Sequence, residues 1–292
     1  MKIAIIGSGK MGKWFAKFFL EQGFKVVISD KDKEKLSRIT KELDVETASN
    51  VDAAKSADRI FVCVPIENFE NAIGEIHHHI RPNQEVMDIC SIKEEPVNIM
   101  HKYIKTGAIL GTHPMFGPGV KNIKNQNFVL TPTNAEEEKL AENFKSWLEY
   151  RGAKVISMSP REHDKLMSVV LGLPYFLSFT LCDTLISQGS FSKTKKVSGA
   201  SYKLLLTLIE AIASEEEEFS ANLLMNLPET DKVEELLLKK AAGWLELLKK
   251  GDKVAFANRV KLLKKELAKI DPYYFKSYDA MYKMLETLRN GN

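Results

Sequence analysis

The 292-residue chain is long enough for two domains, and its 44% hydrophobic and 28% charged residues exclude a disordered, collagen-like or disulfide-scaffold protein. Its 42 Lys and Arg nearly balance 39 Asp and Glu, giving a formal net charge of +3, so no basic field for nucleic acid is expected. Cys63, Cys90 and Cys182 are widely separated. They lack the paired spacing of a metal site and are expected to be free thiols in a reducing compartment.

The N-terminus and one apolar stretch bear on location. After Met1 and Lys2 the chain enters a hydrophobic run without the charged leader and cleavage site of a secretory signal, so we expect a cytoplasmic protein. Residues 166–182 carry no charged side chain, but this stretch is short for a membrane span and includes Gly172 and Pro174. We therefore expect no membrane span, and interpret the stretch as a buried helix or a subunit interface.

The first half alternates short apolar runs with amphipathic stretches, which is the rhythm of β-α-β units. Strands that are buried on both faces need continuous apolar runs, and right-handed crossovers between them give a doubly wound sheet. Seven runs are predicted as strands: Ile3–Ile6, Lys25–Ser29, Ile60–Val64, Glu85–Ile89, Ala108–Gly111, Phe128–Leu130 and Lys154–Ser157. The sequence therefore predicts an α/β protein with a Rossmann domain over residues 1–157.

The second half, residues 158–292, lacks strand-like alternation and is predicted to be an all-α domain. Ser159, Pro160 and Glu162 fit the N-cap, N1 and N3 positions of a long helix. Further helices are predicted over Tyr202–Leu224, over Asp231–Lys250 with Gly251 as a stop, over Asp252–Ile270, and over about Lys276–Arg289 before Gly291. Because residues 166–182 place apolar side chains on every face of a helix, we expect this domain to form a homodimer.

A glycine-rich turn follows the first predicted strand. Its residues are Gly7, Ser8, Gly9, Lys10, Met11 and Gly12. They match G-x-G-x-x-G between a strand and a helix, the context that makes this pattern indicative of dinucleotide binding. The first glycine permits the tight turn, the second lets the backbone approach a pyrophosphate, and the third lets the helix pack on the strand.

An acidic residue at the end of the second predicted strand bears on the choice of nucleotide. Asp30 can accept hydrogen bonds from the ribose hydroxyls and would repel a 2′-phosphate. NAD is therefore expected over NADP, although Lys31 and Lys33 are close enough in the chain to soften that repulsion.

Ligands of a doubly wound sheet bind beyond the carboxyl ends of its strands. Val64, Pro65 and Ile66 end one such run and are apolar, as expected for a wall of the nicotinamide site. Ser91 and His113 follow the next two runs. If the strands lie in the order 1-4-5-6, this hydroxyl and this imidazole stand on adjacent strand ends, where Ser91 can orient His113. Because an alcohol that loses hydride must also lose its hydroxyl proton, and histidine titrates near neutral pH, His113 is the candidate base.

The other histidines are weaker candidates. His77, His78 and His79 are consecutive and cannot face one ligand together, and His101 is expected on a surface helix. His163, at the start of the first C-terminal helix, is expected either to line the cleft or to cap a turn.

Several motifs together resemble those of a known family. They are Asp88-x-x-Ser91-x-Lys93, then Gly111-Thr112-His113-Pro114-Met115-Phe116-Gly117-Pro118, then Glu162-His163-Asp164, and Gly172-Leu173-Pro174-Tyr175-Phe176. With them the chain resembles the prephenate dehydrogenase family, especially its archaeal-type members, over nearly its whole length. The resemblance implies an NAD-binding domain, a helical dimerisation domain and a cleft between them.

The resemblance also implies a reaction, the oxidative decarboxylation of prephenate to 4-hydroxyphenylpyruvate on the route to tyrosine. It implies that His113 takes the proton of the ring hydroxyl as hydride passes to the nicotinamide, and that Ser91 holds His113 and the substrate.

Two positions depart from the pattern of the family. Tyr175 stands where many members have a second histidine, and Thr207 follows Tyr202-Lys203 where many bacterial members have a carboxylate-binding arginine. A buried dicarboxylate without a cation is costly, so another base is expected to replace that arginine. The candidates by motif position are Lys93, Lys121 and Lys203, and the candidate substrate-binding residues are accordingly Ser91, Lys93, His113, Tyr175 and Lys203.

Three alternatives stay open. The residues do not decide between prephenate and arogenate, its transaminated relative, and prephenate is the default for the archaeal-type pattern. A dehydrogenase of the 3-hydroxyacid type shares the glycine motif but needs an Asn four residues after a catalytic Lys, and Lys165 is followed at that distance by Val169. A non-catalytic NAD-binding relative is favoured by the two departures and disfavoured by the presence of Ser91 and His113.

Overall fold

A computed structural model of the protein describes residues 1–290, which fold into two compact units. The first comprises Met1–Met167 and Met225–Pro228, and the second comprises Ser168–Leu224 and continues from Glu229. The first unit therefore extends beyond residue 157, where the predicted Rossmann domain ends, and includes the first helix of the predicted helical half.

One eight-stranded sheet, in the order β3-β2-β1-β4-β5-β6-β7-β8, forms the centre of the first unit. Its strands are β1 (Lys2–Ile6), β2 (Lys25–Ser29), β3 (Glu46–Thr47), β4 (Arg59–Val62), β5 (Glu85–Asp88), β6 (Ala108–Pro114), β7 (Asn127–Thr131) and β8 (Lys154–Ser157). All seven predicted runs form strands, and the strand order reverses at β1 as in a doubly wound fold. The sequence missed β3, which has two residues, both exposed.

The sheet stops being parallel at β7. Strands β1 to β6 are parallel to one another, whereas β7 is antiparallel to β6 and parallel to β8. In the described connection from Pro114 to Asn127 no helix intervenes, so the chain turns back beside β6 rather than crossing over the sheet. As a result, β6 pairs with β5 through Ala108–Leu110 and with β7 through Gly111–Pro114.

Helices cover both faces of this sheet. They are α1 (Lys10–Glu21), α2 (Lys33–Glu42), α3 (Asn50–Ser56), α4 (Phe69–Ile76), α5 (Glu94–Tyr103), α6 (Ala135–Glu149) and α7 (Pro160–Met167). Alternate strand residues point to opposite faces and so contribute to two separate apolar cores. In one core Phe15, Phe19 and Phe61 pack with ring centroids 4.9 to 5.8 Å apart. The strand ends that carry the candidate site are therefore fixed from both sides.

The remaining helices confirm the all-α prediction for the second half. They are α8 (Leu173–Ser187), α9 (Phe191–Lys196), α10 (Ala200–Ala213), α11 (Glu217–Asn226), α12 (Thr230–Lys250), α13 (Lys253–Ile270) and α14 (Ser277–Asn290). Gly251 ends α12 as predicted, with a left-handed φ of +65°. The helix predicted over Tyr202–Leu224 is broken into α10 and α11, and the six-residue α9 was missed. The predicted stop at Gly291 lies outside the described residues.

The long helix predicted from Ser159 begins as expected but is interrupted. Ser159 Oγ accepts a hydrogen bond from Glu162 N at 3.2 Å, and Ser168–Gly172 form a π-helical turn between α7 and α8. Pro160–Ser187 is the one helical stretch of the described chain that is long and apolar enough to cross a membrane, judged by length and composition alone. Within α8 only Ser178 is buried, so this helix is not a core helix of its own unit.

Candidate active site

The glycine-rich turn joins β1 to α1 and leaves room for a ligand. Gly7 adopts φ +104°, and a Cβ there would lie 2.5 Å from the Cys63 carbonyl oxygen. A Cβ on Gly12 would overlap the carbonyl oxygen of Gly7, so only glycine lets α1 approach the strand this closely. A Cβ on Gly9, in contrast, would meet no described atom within 4 Å. The backbone at Gly9 is therefore open to an anion at the N-terminus of α1.

The other residues of this turn have different surroundings. Ser8 is buried, Lys10 is exposed on the first turn of α1, and Met11 packs against the core. The loop after β4 lies next to the turn, because Cys63 N donates to the Ile6 carbonyl oxygen at 2.7 Å. That loop contains the predicted apolar wall of Val64, Pro65 and Ile66, which are half-buried or exposed.

Asp30 follows β2 and is held by the glycine-rich turn. Its Oδ2 accepts hydrogen bonds from Ser8 N at 2.7 Å and Ser8 Oγ at 2.6 Å, and its Oδ1 accepts from Asp32 N at 2.9 Å. Burial raises the pKa of Asp30, but these hydrogen bonds outweigh it and the pKa is lowered overall. The carboxylate is therefore ionised at neutral pH. The neighbouring Lys31 pairs with Glu75 at 3.4 Å.

A buried ion pair ties the end of β5 to β6. Lys93 and Asp88 are both 0% exposed; Lys93 Nζ donates to Asp88 Oδ2 and, at 2.7 Å, to the Thr112 carbonyl oxygen. Asp88 also accepts from Thr112 N at 3.2 Å and from Cys90 N at 2.9 Å. Lys93 was expected as a substrate cation, and the structure corrects this, because its ammonium is enclosed by protein. Lys93 instead holds the backbone of Thr112, the residue that precedes His113.

The imidazole of His113 is linked to α7. Its Nδ1 lies 2.8 Å from His163 Nε2, and His163 Nδ1 lies 2.7 Å from Asp164 Oδ1. Asp164 also accepts hydrogen bonds from Lys93 N at 2.7 Å and Glu94 N at 2.8 Å, which attach α7 to the start of α5. No described residue hydrogen-bonds to Nε2 of His113, whose side chain is nearly buried. This nitrogen is therefore the one left for a ligand.

Both imidazoles are neutral at neutral pH. Burial lowers the pKa of His113 well below 6.5, and the nearby His163 and Lys93 lower it further. Burial also lowers the pKa of His163, against the opposing effect of its hydrogen bond to Asp164. A neutral imidazole with one free nitrogen can accept a proton, so this arrangement can act as a general base.

Ser91 reaches the same edge of the sheet as His113, because β5 and β6 are neighbours in the predicted order. It is half-buried, and no residue within the described part of the chain hydrogen-bonds to its hydroxyl. Ser91 was expected to orient His113, whereas the described hydrogen bond of this imidazole joins its Nδ1 to His163. The Ser91 hydroxyl is thus available to a ligand.

The remaining candidates lie in other surroundings. Tyr175, in α8, donates its hydroxyl to Glu215 Oε2 at 2.6 Å; burial and this carboxylate raise its pKa, so the phenol stays protonated. Lys203 is exposed on α10, and Lys121 is exposed between β6 and β7. Neither lysine forms an ion pair with another described residue.

Sequence reasoning missed the link between His163, Asp164 and His113. The available signal was the adjacent Glu162-His163-Asp164 at a helix start, where the first turn of the helix can face a sheet edge. It also missed that Asp88 and Lys93 form an ion pair, which their five-residue separation across a strand end permits.

Two family models match consecutive parts of this chain. The model of the prephenate dehydrogenase nucleotide-binding domain matches residues 15–157, and that of the prephenate dehydrogenase dimerization domain matches residues 159–262. The chain belongs to the prephenate dehydrogenase family. This family assignment confirms the resemblance seen in the sequence.

Individual relatives of this prephenate dehydrogenase family member agree with the assignment. A protein of Methanocaldococcus jannaschii named "Probable arogenate/prephenate dehydrogenase" is 34% identical over 284 residues, covering 94% of this chain and 63% of that protein. The chain spans 63 to 64% of the length of the first curated relatives that it matches.

Solved structures share the fold. The crystal structure of prephenate dehydrogenase from Aquifex aeolicus in complex with hydroxyphenyl propionate and NAD+ has a TM-score of 0.78 at 23% identity, covering 93% of this chain and 98% of that one. Synechocystis arogenate dehydrogenase has a TM-score of 0.73 at 18% identity, covering 94% and 100%.

Proposed function

We propose that this protein catalyses the NAD-dependent oxidative decarboxylation of prephenate to 4-hydroxyphenylpyruvate, with His113 as the base. The observation that carries the proposal is the state of His113, a neutral imidazole at the carboxyl edge of the sheet whose Nε2 is bonded to no described residue. Ser91, whose hydroxyl is available at the same edge, is proposed to contact the substrate.

The residues around the glycine-rich turn fit NAD. The open backbone at Gly9 suits a pyrophosphate at the N-terminus of α1, and the ionised Asp30 suits the ribose hydroxyls. A 2′-phosphate would meet the Asp30 carboxylate, and Lys31, which could neutralise it, is paired with Glu75. The Aquifex aeolicus enzyme was solved with NAD+. Bound NAD would supply the acceptor for a hydride, beside the apolar loop that begins at Val64.

The proposed reaction asks little of the protein beyond positioning and one proton transfer. The ring carbon that bears the hydroxyl loses its hydrogen as hydride, and the hydroxyl proton passes to Nε2 of His113. The ring then loses its carboxylate as carbon dioxide, and the electron pair of that carbon–carbon bond restores aromaticity. Because aromatisation drives the second step, one base and a fixed ring orientation are sufficient.

The substrate's carboxylates need a cation, and the burial of Lys93 narrows the choice. We propose Lys203 or Lys121 for this role, because each is exposed and forms no ion pair with a described residue. Tyr175, hydrogen-bonded to Glu215, is proposed to contribute a polar contact to the substrate side chain.

We also propose that the protein works as a homodimer. The match to the family's dimerization domain supports this, as does α8, whose apolar residues Phe179 and Ile186 are exposed in a single chain. A cytoplasmic location is proposed for the same protein, in keeping with a biosynthetic reaction on a polar metabolite.

The test is NADH formation by the purified protein with prephenate or arogenate and with NAD or NADP, in wild type and His113→Asn. We expect NAD-dependent turnover of prephenate, and a loss of about 10²- to 10⁴-fold in kcat for the variant with NAD binding unchanged. His78→Asn, which alters an exposed histidine, is the matched control and should behave as wild type. Turnover of arogenate alone would replace the substrate, and turnover that His113→Asn retains would remove His113 as the base.

A further inference from the structure

The hydrogen-bonded chain from His113 through His163 to Asp164 fixes where its protons lie. Asp164 accepts backbone N–H groups on both carboxylate oxygens, from Lys93 on Oδ1 and from Glu94 on Oδ2. A proton on this carboxyl group would compete with these donors. Asp164 is therefore an acceptor toward His163 as well, and the proton between them belongs to His163 Nδ1.

The rest of the chain follows from this one assignment. A neutral His163 that carries its proton on Nδ1 has a lone pair on Nε2, so it accepts the hydrogen bond from His113. His113 must then carry its own proton on Nδ1. Its lone pair is left on Nε2, the nitrogen that no described residue contacts.

We propose that His163 and Asp164 are positioning residues that hold His113 in the Nδ1–H tautomer, so that Nε2 presents its lone pair to the substrate hydroxyl. The catalytic part of this inference rests on the proposed function; the tautomer does not. When Nε2 takes the substrate proton, His113 becomes cationic, and its Nδ1–H can pass to His163 Nε2. The charge then lies on the imidazole next to the Asp164 carboxylate.

The charged groups around the pair favour this direction of transfer. Lys93, which immediately precedes α5, opposes positive charge on both imidazoles, and its partner Asp88 at the end of β5 partly offsets that effect at His163. Asp164, on α7, lies against His163 and so favours the cation there. These charges therefore favour the cation on His163 over the cation on His113. His163 is 0% exposed and so acts through His113 rather than on a ligand.

Asp164→Asn is the sharpest perturbation, because it removes the carboxylate that accepts from His163. In one amide orientation the nitrogen donates to His163 Nδ1, which moves the His163 proton to Nε2, so that His113 accepts on Nδ1 and its protonated Nε2 cannot serve as a base. In the other orientation the amide oxygen still accepts from Lys93 N and His163, but no anion is left to stabilise a cationic His163. Both orientations are expected to lower kcat.

Two readouts test the inference. Nitrogen NMR of ¹⁵N-histidine-labelled protein, with His113 assigned through His113→Asn, should show a protonated Nδ1 of His113 and an unprotonated Nε2 in wild type. In the NADH assay Asp164→Asn should lose about 10²- to 10⁴-fold in kcat with a KM near that of wild type. Glu162→Gln, the same change at an exposed neighbour on α7, is the control and should alter neither readout.

The outcomes separate this inference from the proposed function. A wild-type protein that turns over neither substrate would refute the proposed function, while the NMR measurement would still decide the tautomer. A His113 that carries its proton on Nε2 in wild type, or an Asp164→Asn variant of an active enzyme with unchanged kcat, would overturn the inference. If Asp164→Asn does not fold, His163→Gln and His163→Leu take its place. Gln, which can accept from His113, should keep more activity than Leu, and equal activity of the two would overturn the inference.

Discussion

Replacing Lys93 by Met tests the buried ion pair that supports His113. The substitution keeps most of the aliphatic volume and removes the ammonium, which donates to Asp88 and to the Thr112 carbonyl oxygen. Asp88 keeps the N–H groups of Cys90 and Thr112 but loses its only described cation, in a site that is 0% exposed.

The expected cost is large for a single substitution. Removing one partner of a buried ion pair costs about 3–5 kcal/mol, because the other charge is left uncompensated. The double variant Asp88→Asn/Lys93→Met removes both charges and should recover most of the loss, since a neutral pair needs no counterion.

Urea unfolding followed by tryptophan fluorescence measures this effect. Trp14 and Trp147 lie in the first unit, and replacing Trp244 by Phe in every variant removes the signal of the second unit. Lys102→Met is the control, because Lys102, on α5, pairs with Glu70 of α4 at the surface, and this variant should unfold near the wild-type midpoint. A Lys93→Met protein that loses less than about 1 kcal/mol, or a double variant as unstable as the single one, would refute the reasoning.

Three further predictions follow from the geometry. Gly9→Ala should leave the free energy of unfolding within about 0.5 kcal/mol of wild type but weaken NAD binding, because its Cβ enters the space proposed for the pyrophosphate. Gly12→Ala should lower the free energy of unfolding by about 1–3 kcal/mol. Equal NAD affinity of Gly9→Ala and wild type would contradict the first expectation. Asp30→Asn should lower the ratio of kcat/KM for NAD over NADP by at least about tenfold, and an unchanged ratio would remove Asp30 from the choice of nucleotide. The pKa values of His113 and His163 are lower in the folded chain than the ordinary 6.5, so the unfolded chain binds more protons below that pH. Stability should therefore be complete above pH 6.5 and fall below it by up to about 2.7 kcal/mol per pH unit; urea midpoints that stay constant down to about pH 5 would contradict this.

The sequence predicted those parts of the fold that local chemistry determines. Strands buried on both faces require continuous apolar runs, and Gly251 and Ser159 end or begin helices through their own backbone and side chain. The antiparallel direction of β7 was not predictable in this way, because it depends on how a helix-free connection turns back beside β6. The break between α10 and α11 likewise has no glycine or proline to announce it.

The candidate site shows the same limit at the level of side chains. His113 could be proposed from its place at a strand end, since the carboxyl edge of such a sheet carries the chemistry. Its partner His163 is 50 residues away in sequence, and the contact exists only because α7 packs beside the edge of the sheet. The burial of Lys93 was equally inaccessible, because lysine is almost never fully buried unless it is paired, and its partner could not be identified from spacing alone.

The unequal lengths of β5 and β6 explain why buried charges stand at this site. β5 ends at Asp88, whereas β6 continues to Pro114, so the last residues of β6 have no strand beside them on the β5 side. The backbone N–H and carbonyl oxygen of Thr112 would therefore lack strand partners on that side. Asp88 accepts from Thr112 N and Lys93 donates to the Thr112 carbonyl oxygen, so these two side chains replace the missing strand. The ion pair thus extends the sheet by one residue and holds the backbone that carries His113. Lys93 cannot do this and also reach a ligand, so a cation that binds a carboxylate of the proposed substrate has to come from another position.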